Sequence, residues 1–196
     1  MPRVSVLIPH HRNPRLLTPL FTSLYKMDMD PAQVEFVLVD NGSTDGSADL
    51  VRREFPAVKI FSLGRNEGFA PALNKAARAY ESPWLCFLNN DVQADPDWLS
   101  NLLHAAHEID APCFSSHLLN WTGRQTQFAG GWINIFGKGF ESHELRGLWL
   151  IKQNSMLCGH AKYSGKAWNC RHKKPGTMPG LSLPEETQIS ATFCHT

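Results

Sequence analysis

Two short segments carry the residues best suited to chemistry. Asp40 lies in Val39-Asp40-Asn41-Gly42-Ser43-Thr44-Asp45 and Asp91 in Leu88-Asn89-Asn90-Asp91, each directly after an apolar run that reads as a buried strand. In an open α/β sheet the ligand crevice lies outside the carboxyl ends of the strands, so carboxylates at neighbouring strand ends would face one ligand. Asp40 is placed to accept a hydrogen bond from a base N–H or a ribose hydroxyl, with the backbone of Gly42 and Ser43 close by. Asp91, flanked by Asn89 and Asn90, offers oxygen ligands for Mg²⁺ or Mn²⁺, with phosphate oxygens and water completing the shell. The chemistry this implies is the binding of a nucleoside diphosphate and a divalent cation.

Each residue also has a plainer explanation. Asp40 and Asp45 are common turn and helix-capping types, and Asn-Asn-Asp is ordinary turn composition. Asp95 and Asp97, around Pro96, read as caps rather than ligands. In Gly64-Arg65-Asn66-Glu67-Gly68-Phe69-Ala70, Gly68 frees the backbone and Arg65 could pair with a phosphate, while a surface arginine near a helix start is the competing reading. The loop Pro9-His10-His11-Arg12 offers backbone and imidazole contacts, or two exposed histidines. What separates the readings is whether the fold gathers these loops.

The elements that would gather them alternate. Val4-Ser5-Val6-Leu7-Ile8 reads as a first strand stopped by Pro9. A helix follows from Pro14 to Met27, with apolar residues at Leu16, Leu17, Leu20, Phe21 and Leu24 and Asn13 as its cap. Val34 to Val39 is a second strand, and the turn at 40–46 opens a helix to about Glu54. Val58 to Leu63 is a strand, Gly68 to Tyr80 a helix bearing Asn74, Trp84 to Leu88 a strand and Asp97 to His107 a helix. Pro112 to Leu119 and Gln127 to Ile133 are weaker strand signals. Repeated βα units predict an α/β, Rossmann-like, mainly parallel sheet with helices on both faces and an irregular C-terminal region.

Composition limits the classes. At 196 residues the chain fits one main domain, and no apolar stretch is long enough to span a bilayer. The N-terminal apolar stretch is too short for a secretory leader, so a cytoplasmic location is expected, with peripheral association at the inner face of the membrane left open. Five cysteines without regular spacing argue against a disulfide framework. A net charge of +1 gives no general attraction to nucleic acid. That average conceals a division: residues 1–144 carry 12 Lys/Arg against 16 Asp/Glu, and residues 145–196 carry 7 against 2. Residues 1–144 are accordingly expected to form the nucleotide-binding domain, and 145–196 an atypical basic tail without clear periodicity.

Taken together, VSVLIPHHRN at 4–13, LVDNGSTDGS at 38–47, RNEGFAPALNKA at 65–76 and LNNDVQADPDWL at 88–99 resemble the family 2 glycosyltransferases, and FAGGWINIFGKGF at 128–140 extends the likeness. The similarity is greatest to members that pass rhamnose or a similar sugar onto bacterial surface polysaccharides. The resemblance implies a GT-A fold and inverting transfer from a UDP- or dTDP-sugar to a saccharide or lipid-linked acceptor. It implies nucleotide-sugar contacts from Pro9, His10, Asp40, Asn41, Ser43, Arg65, Asn66, Gly68, Asn74, Asn89, Asn90 and Asp91, with Asp91 holding Mn²⁺ or Mg²⁺. Asn90 stands where many members carry a second acid, which implies weaker metal affinity.

The general base is the missing part. Related chains place it in a segment resembling GGFDE followed by FEDVD, which this sequence lacks. The only acids after residue 145 are Glu185 and Glu186, weak candidates for the base. A truncated or frame-shifted chain, retaining a nucleotide-sugar-binding module without turnover, is therefore the alternative. The pairs Cys158/His160 and Cys170/His172 have spacing unlike common zinc sites. A dinucleotide oxidoreductase is disfavoured because the first loop lacks glycine. A sugar-phosphate nucleotidyltransferase is disfavoured by the absence of a glycine-rich loop followed by lysine.

Overall fold

Seven consecutive buried residues form β1 (Val4–His10), as expected of a central strand covered on both faces. The computed structural model of the chain describes residues 3–108, most of 113–128, and the strand segments 131–133, 139–141, 155–158, 161–164 and 191–195. β1 does not stop at Pro9 but continues to His10. Its pairing with the Trp84–Leu88 strand ends at Leu7, so the missing N–H of Pro9 falls where that ladder has ended.

A 3-10 turn at Pro14–Leu16 leads into α1 (Leu17–Leu24). Asn13 precedes it as expected but makes no side-chain cap; its φ is 65° and its N–H donates to Asp45 Oδ2 at 2.7 Å. Then come β2 (Val34–Asp40), α2 (Ser47–Glu54), β3 (Lys59–Ser62), α3 (Phe69–Ala79), β4 (Trp84–Leu88), β5 (Val92–Gln93) and α4 (Trp98–Glu108). The weak signal at 112–119 resolves into two strands, β6 (Cys113–Ser115) and β7 (His117–Asn120). β8 (Thr126–Phe128) and β9 (Gly131–Ile133) replace the single strand expected at 127–133, and β10 (Gly139–Glu141) pairs with β9. β11 (Ser155–Cys158), β12 (Ala161–Ser164) and β13 (Ala191–His195) complete the described elements.

The main sheet has the order β3-β2-β1-β4-β13-β6. Its first four strands are parallel, and β13 runs antiparallel to both β4 and β6. A second sheet, β5-β11-β12-β7, is antiparallel. Strands from the basic segment after residue 145 thus pair with strands from before it. Side chains alternate across the main sheet with period two. Val6, Ile8, Phe36, Leu38, Cys86 and Leu88 pack with α1, α2 and α4, whereas Leu7, Val37, Val39 and Leu85 pack with α3. The largest buried side chain is Trp98 of α4, whose Nε1 donates to Ser116 Oγ at 2.9 Å. Among the described residues no helix is long and apolar enough to cross a membrane.

Candidate functional site

Strand register places the site. β1 and β2 pair so that His10 lies beside Asp40. β1 and β4 pair Val4 with Trp84 and Leu7 with Phe87. The same offset carried past the end of β4 puts Asn90 beside His10, where its Nδ2 lies 2.8 Å from His10 Nδ1. Asp40, His10 and Asn90 therefore form a row across three carboxyl ends. Asp40 and Asp91 do not stand at neighbouring strand ends, as expected from the two motifs: β1 lies between them, because the chain builds outward from a central β1. With strands about 4.8 Å apart, their ends stand roughly 10 Å from each other.

The loop after β2 is held by its own polar groups. Asp40, 6% exposed, accepts the Ser43 N–H at Oδ1 (2.9 Å). Its Oδ2 takes no hydrogen bond from any described residue. Ser43 Oγ accepts the Arg12 N–H at 3.1 Å. Asp45 joins Asn13 to α2, accepting the Ser47 N–H (3.2 Å) and hydroxyl (2.5 Å) at Oδ1. The Ser47 hydroxyl, before the backbone N–H groups, holds the Asp45 carboxyl below the usual carboxylate range. Arg12 and Asn13, both at positive φ (64° and 65°), aim their N–H groups at this loop.

Buried Asn41 fastens the 64–68 loop. Its Nδ2 donates to Asn66 Oδ1 (3.0 Å) and to the Gly68 carbonyl (3.1 Å), and its Oδ1 accepts the Glu67 N–H (2.9 Å). The Asn41 side-chain amide is thereby committed to protein, and its backbone N–H donates to the His10 carbonyl (2.8 Å) while its carbonyl lies 2.9 Å from His11 Nδ1. Glu67 pairs with Lys75 of α3 at 2.5 Å and with Arg65 at 3.7 Å.

These loops enclose a cleft of about 410 Å³ lined by Pro9, His10, His11, Asn41, Asn66, Gly68, Phe69, Asn89, Asn90 and Asp91. Eight of the residues picked out by sequence share that wall. Asp40, Ser43, Arg65 and Asn74 are not among its lining residues: Asp40 is buried at the end of β2, Ser43 lies in the loop that follows, the Arg65 side chain is 84% exposed beside Glu67, and Asn74 lies exposed on α3. Glu185, Glu186, His160, Cys170 and His172 lie outside the described residues, as do the side chains of the tail. Sequence reasoning passed over Phe69, a half-exposed aromatic at the first position of α3, although a large apolar residue directly after a glycine in a polar loop is a usable signal.

The resemblance implies a divalent cation, and Asp91 tests the fit. Its Oδ1 is buried and has no hydrogen-bond partner, with Asn89 and Asn90 on the same wall. An unpartnered buried carboxylate oxygen suits a hard cation that draws its other ligands from phosphate and water. Among the described residues no three His, Cys, Asp or Glu side chains gather, so protein supplies only part of such a shell.

His10 is 2% exposed. Burial lowers its pKa from the ordinary 6.5, against the opposing pull of Asp45 and Asp40 and alongside a smaller lowering by His11. Below about pH 6.5 the unfolded chain takes up a proton that the folded imidazole resists, so stability falls as pH drops through that value. The urea midpoint is expected to decrease between pH 7.5 and 5.5, and to decrease less in His10→Asn. An equal decrease in the two proteins would contradict this. Asp45, with its pKa lowered, loses its contribution only at pH below the ordinary carboxylate value, outside that window.

The fold and cleft define an α/β ligand-binding domain with its site at the carboxyl ends of parallel strands. The chain belongs to glycosyltransferase family 2: the family described as "Glycosyl transferase family 2" matches residues 5–164, a span that crosses the composition change at 145. It is 34% identical over 115 residues to validoxylamine A glucosyltransferase of Streptomyces hygroscopicus subsp. limoneus, covering 57% of this chain and 25% of that protein. It is 31% identical over 168 residues to the O-antigen biosynthesis protein RfbC of Myxococcus xanthus, covering 83% and 13%. It is 32% identical over 84 residues to N-acetylglucosaminyl-diphospho-decaprenol L-rhamnosyltransferase of Mycobacterium tuberculosis, covering 37% and 27%. The chain thus spans about a quarter or less of the length of these relatives. Among solved structures, a mannosyltransferase of Pyrobaculum calidifontis in complex with GDP-Man and Mn²⁺ superposes with a TM-score of 0.53 at 27% identity, over 58% of this chain and 35% of that one. TarS of S. aureus in complex with UDP-GlcNAc superposes at 0.51 with 26% identity, over 60% and 33%. The parallel four-stranded core with its flanking helices is the GT-A arrangement.

Proposed function

We propose that the chain binds a nucleoside-diphosphate sugar in the strand-end cleft and passes the sugar, with inversion, to a saccharide or lipid-linked acceptor in cell-surface polysaccharide or cell-wall synthesis. Residues 1–144 supply the donor domain, and the basic segment 145–196 stands where an acceptor-binding half is expected. The observation that carries the reading is the row Asp40, His10 and Asn90 beside a cleft holding the unpartnered Asp91 Oδ1. The relatives bound to UDP-GlcNAc and to GDP-Man with Mn²⁺ support it. UDP or dTDP is the expected nucleotide.

Asp40 takes a base or ribose donor on its free oxygen, and the backbone of Asn41, pressed against the 66–68 loop, borders the nucleoside. Asp91, with the Asn89 and Asn90 amides, would hold Mn²⁺ or Mg²⁺, which would supply positive charge against the diphosphate. In the transfer, the acceptor oxygen bonds to the anomeric carbon as the bond from that carbon to the diphosphate oxygen breaks, and the acceptor proton passes to a carboxylate. Glu185 and Glu186 are the weak candidates for that carboxylate.

A second reading, a nucleotide-sugar-binding module without turnover, is favoured by Asp91 being the single carboxylate among the described residues that line the cleft. Calorimetry of the full chain with UDP- and dTDP-sugars, with and without Mn²⁺, alongside release of free nucleoside diphosphate, separates the two. Binding with release supports transfer, binding without release supports the module, and absence of both rejects each. Asp40→Asn keeps an acceptor for the Ser43 N–H but replaces the free carboxylate oxygen with a donor. It is expected to weaken nucleotide binding about tenfold, equally with and without Mn²⁺. A loss confined to the metal-dependent part would contradict the nucleoside role.

A further inference from the structure

The centre of the strand-end row is a pair of side chains whose hydrogen-bond direction is set. An amide nitrogen donates, so the contact of Asn90 Nδ2 with His10 Nδ1 at 2.8 Å makes Nδ1 the acceptor. The neutral ring then carries its hydrogen on Nε2, and Nε2 is buried without a protein partner in a residue that lines the cleft. With its nitrogen turned to His10, Asn90 keeps Oδ1 free of hydrogen bonds from any described residue, on the same wall as the buried, unpartnered Asp91 Oδ1. Two polar atoms left alone inside a folded protein carry a desolvation cost unless a ligand satisfies them.

We propose that His10 is a positioning residue: its Nδ1 lone pair orients the Asn90 carboxamide so that Asn90 Oδ1 stands with Asp91 as an oxygen donor toward the cation and diphosphate, while Nε2–H waits as a donor to a phosphate oxygen. Asn90 is then matched to His10 rather than a weakened acid. An aspartate at 90 cannot donate to Nδ1; it would draw a hydrogen onto Nδ1 and reverse the bond, turning a carboxylate oxygen to the ring in place of the cleft.

The inference rests on the donor-cleft reading only for its affinity arm. In the full ¹⁵N-labelled chain at pH 7.5, ring-nitrogen NMR is expected to show His10 as the Nε2–H tautomer, and Asn90→Asp is expected to move the hydrogen to Nδ1. Calorimetry with UDP and dTDP in Mg²⁺ is expected to show at least a tenfold loss in Asn90→Asp. In His10→Asn/Asn90→Asp, where the residue at position 10 can donate to the new carboxylate but no ring N–H remains for the phosphate, affinity is expected to recover only in part, about threefold above Asn90→Asp, as a restored pair requires. A parent ring protonated on Nδ1, or an Asn90→Asp variant that binds as tightly as the parent, overturns the inference. If Asn90→Asp fails to fold, the parent tautomer and the double variant still decide. If the parent binds neither nucleotide, the donor-cleft reading falls while the tautomer continues to judge the pairing.

Discussion

Replacing Asp91 by alanine is expected to remove the metal-dependent part of nucleotide affinity, a loss of roughly a hundredfold in Mn²⁺, the scale of losing an anionic ligand to a cation bridging a diphosphate. Metal-free affinity should hardly change. Stability is expected to behave in the opposite sense: Asp91 Oδ1 is buried without a hydrogen bond, so its removal relieves a desolvated acceptor, and the ligand-free variant should unfold at the same or a higher temperature. A residue kept only to finish a turn would show the reverse, lower stability with unchanged binding. Thermal unfolding of parent and variant, each with and without UDP and Mn²⁺, reads both quantities in one experiment.

Gly42→Ala is expected to give the largest loss of stability among single substitutions in the site loops. Gly42 has φ 77°, and a Cβ there would lie 2.4 Å from the Arg65 carbonyl carbon, 2.5 Å from its Cα and 2.7 Å from Asn66 N. The left-handed backbone costs a non-glycine residue roughly 1–2 kcal/mol. The overlap is with backbone, which no rotamer change relieves, and overpacking of this kind adds about 1–3 kcal/mol. Because Asn41 ties the same loop at three points, the displacement should spread to the 66–68 wall of the cleft and weaken nucleotide binding as well. Gly46→Ala is the control: φ is 80° but a Cβ there meets nothing within 4 Å, so strain alone remains. Equal urea midpoints for the two variants would show that close approach of the loops is not what position 42 requires.

The parallel half of the fold was legible because its signals are local. A run such as Val4–Ile8 or Trp84–Leu88 is apolar on both faces, and each following loop carries turn residues before an amphipathic helix. Strand order was not legible. The two strand-end motifs suggested that the ends bearing Asp40 and Asp91 are neighbours, yet β1 separates them, and His10 thereby becomes the centre of the row. Pro9 misled in the same way, since whether a missing N–H matters depends on where the adjoining ladder stops. The later strands escaped notice because SMLC, AKYS and ATFCH are four or five residues long with few β-branched positions, and apart from the β11–β12 pair their partners lie far away in the chain.

At the site, residue types were readable but their allegiances were not. Asn41 looks like a ligand contact and instead gives its amide to the neighbouring loop, and Asp45 is held by Asn13 and Ser47. Asn90 reads as a defective acid until His10 is seen beside it. None of these distinctions follows from spacing, because each depends on a partner at least twenty-five residues distant or on the direction of one hydrogen bond.

In the proposed reading one nucleotide spans the row, its nucleoside at Asp40 and its diphosphate at Asp91. Residue-resolved NMR of the full chain titrated with UDP or dTDP and then with Mn²⁺ tests it most directly. Nucleotide alone is expected to shift the amides of residues 40–43, and Mn²⁺ is expected to broaden those of His10 and residues 89–92 most strongly. Broadening centred elsewhere, or nucleotide shifts that leave residues 40–43 untouched, would contradict the account.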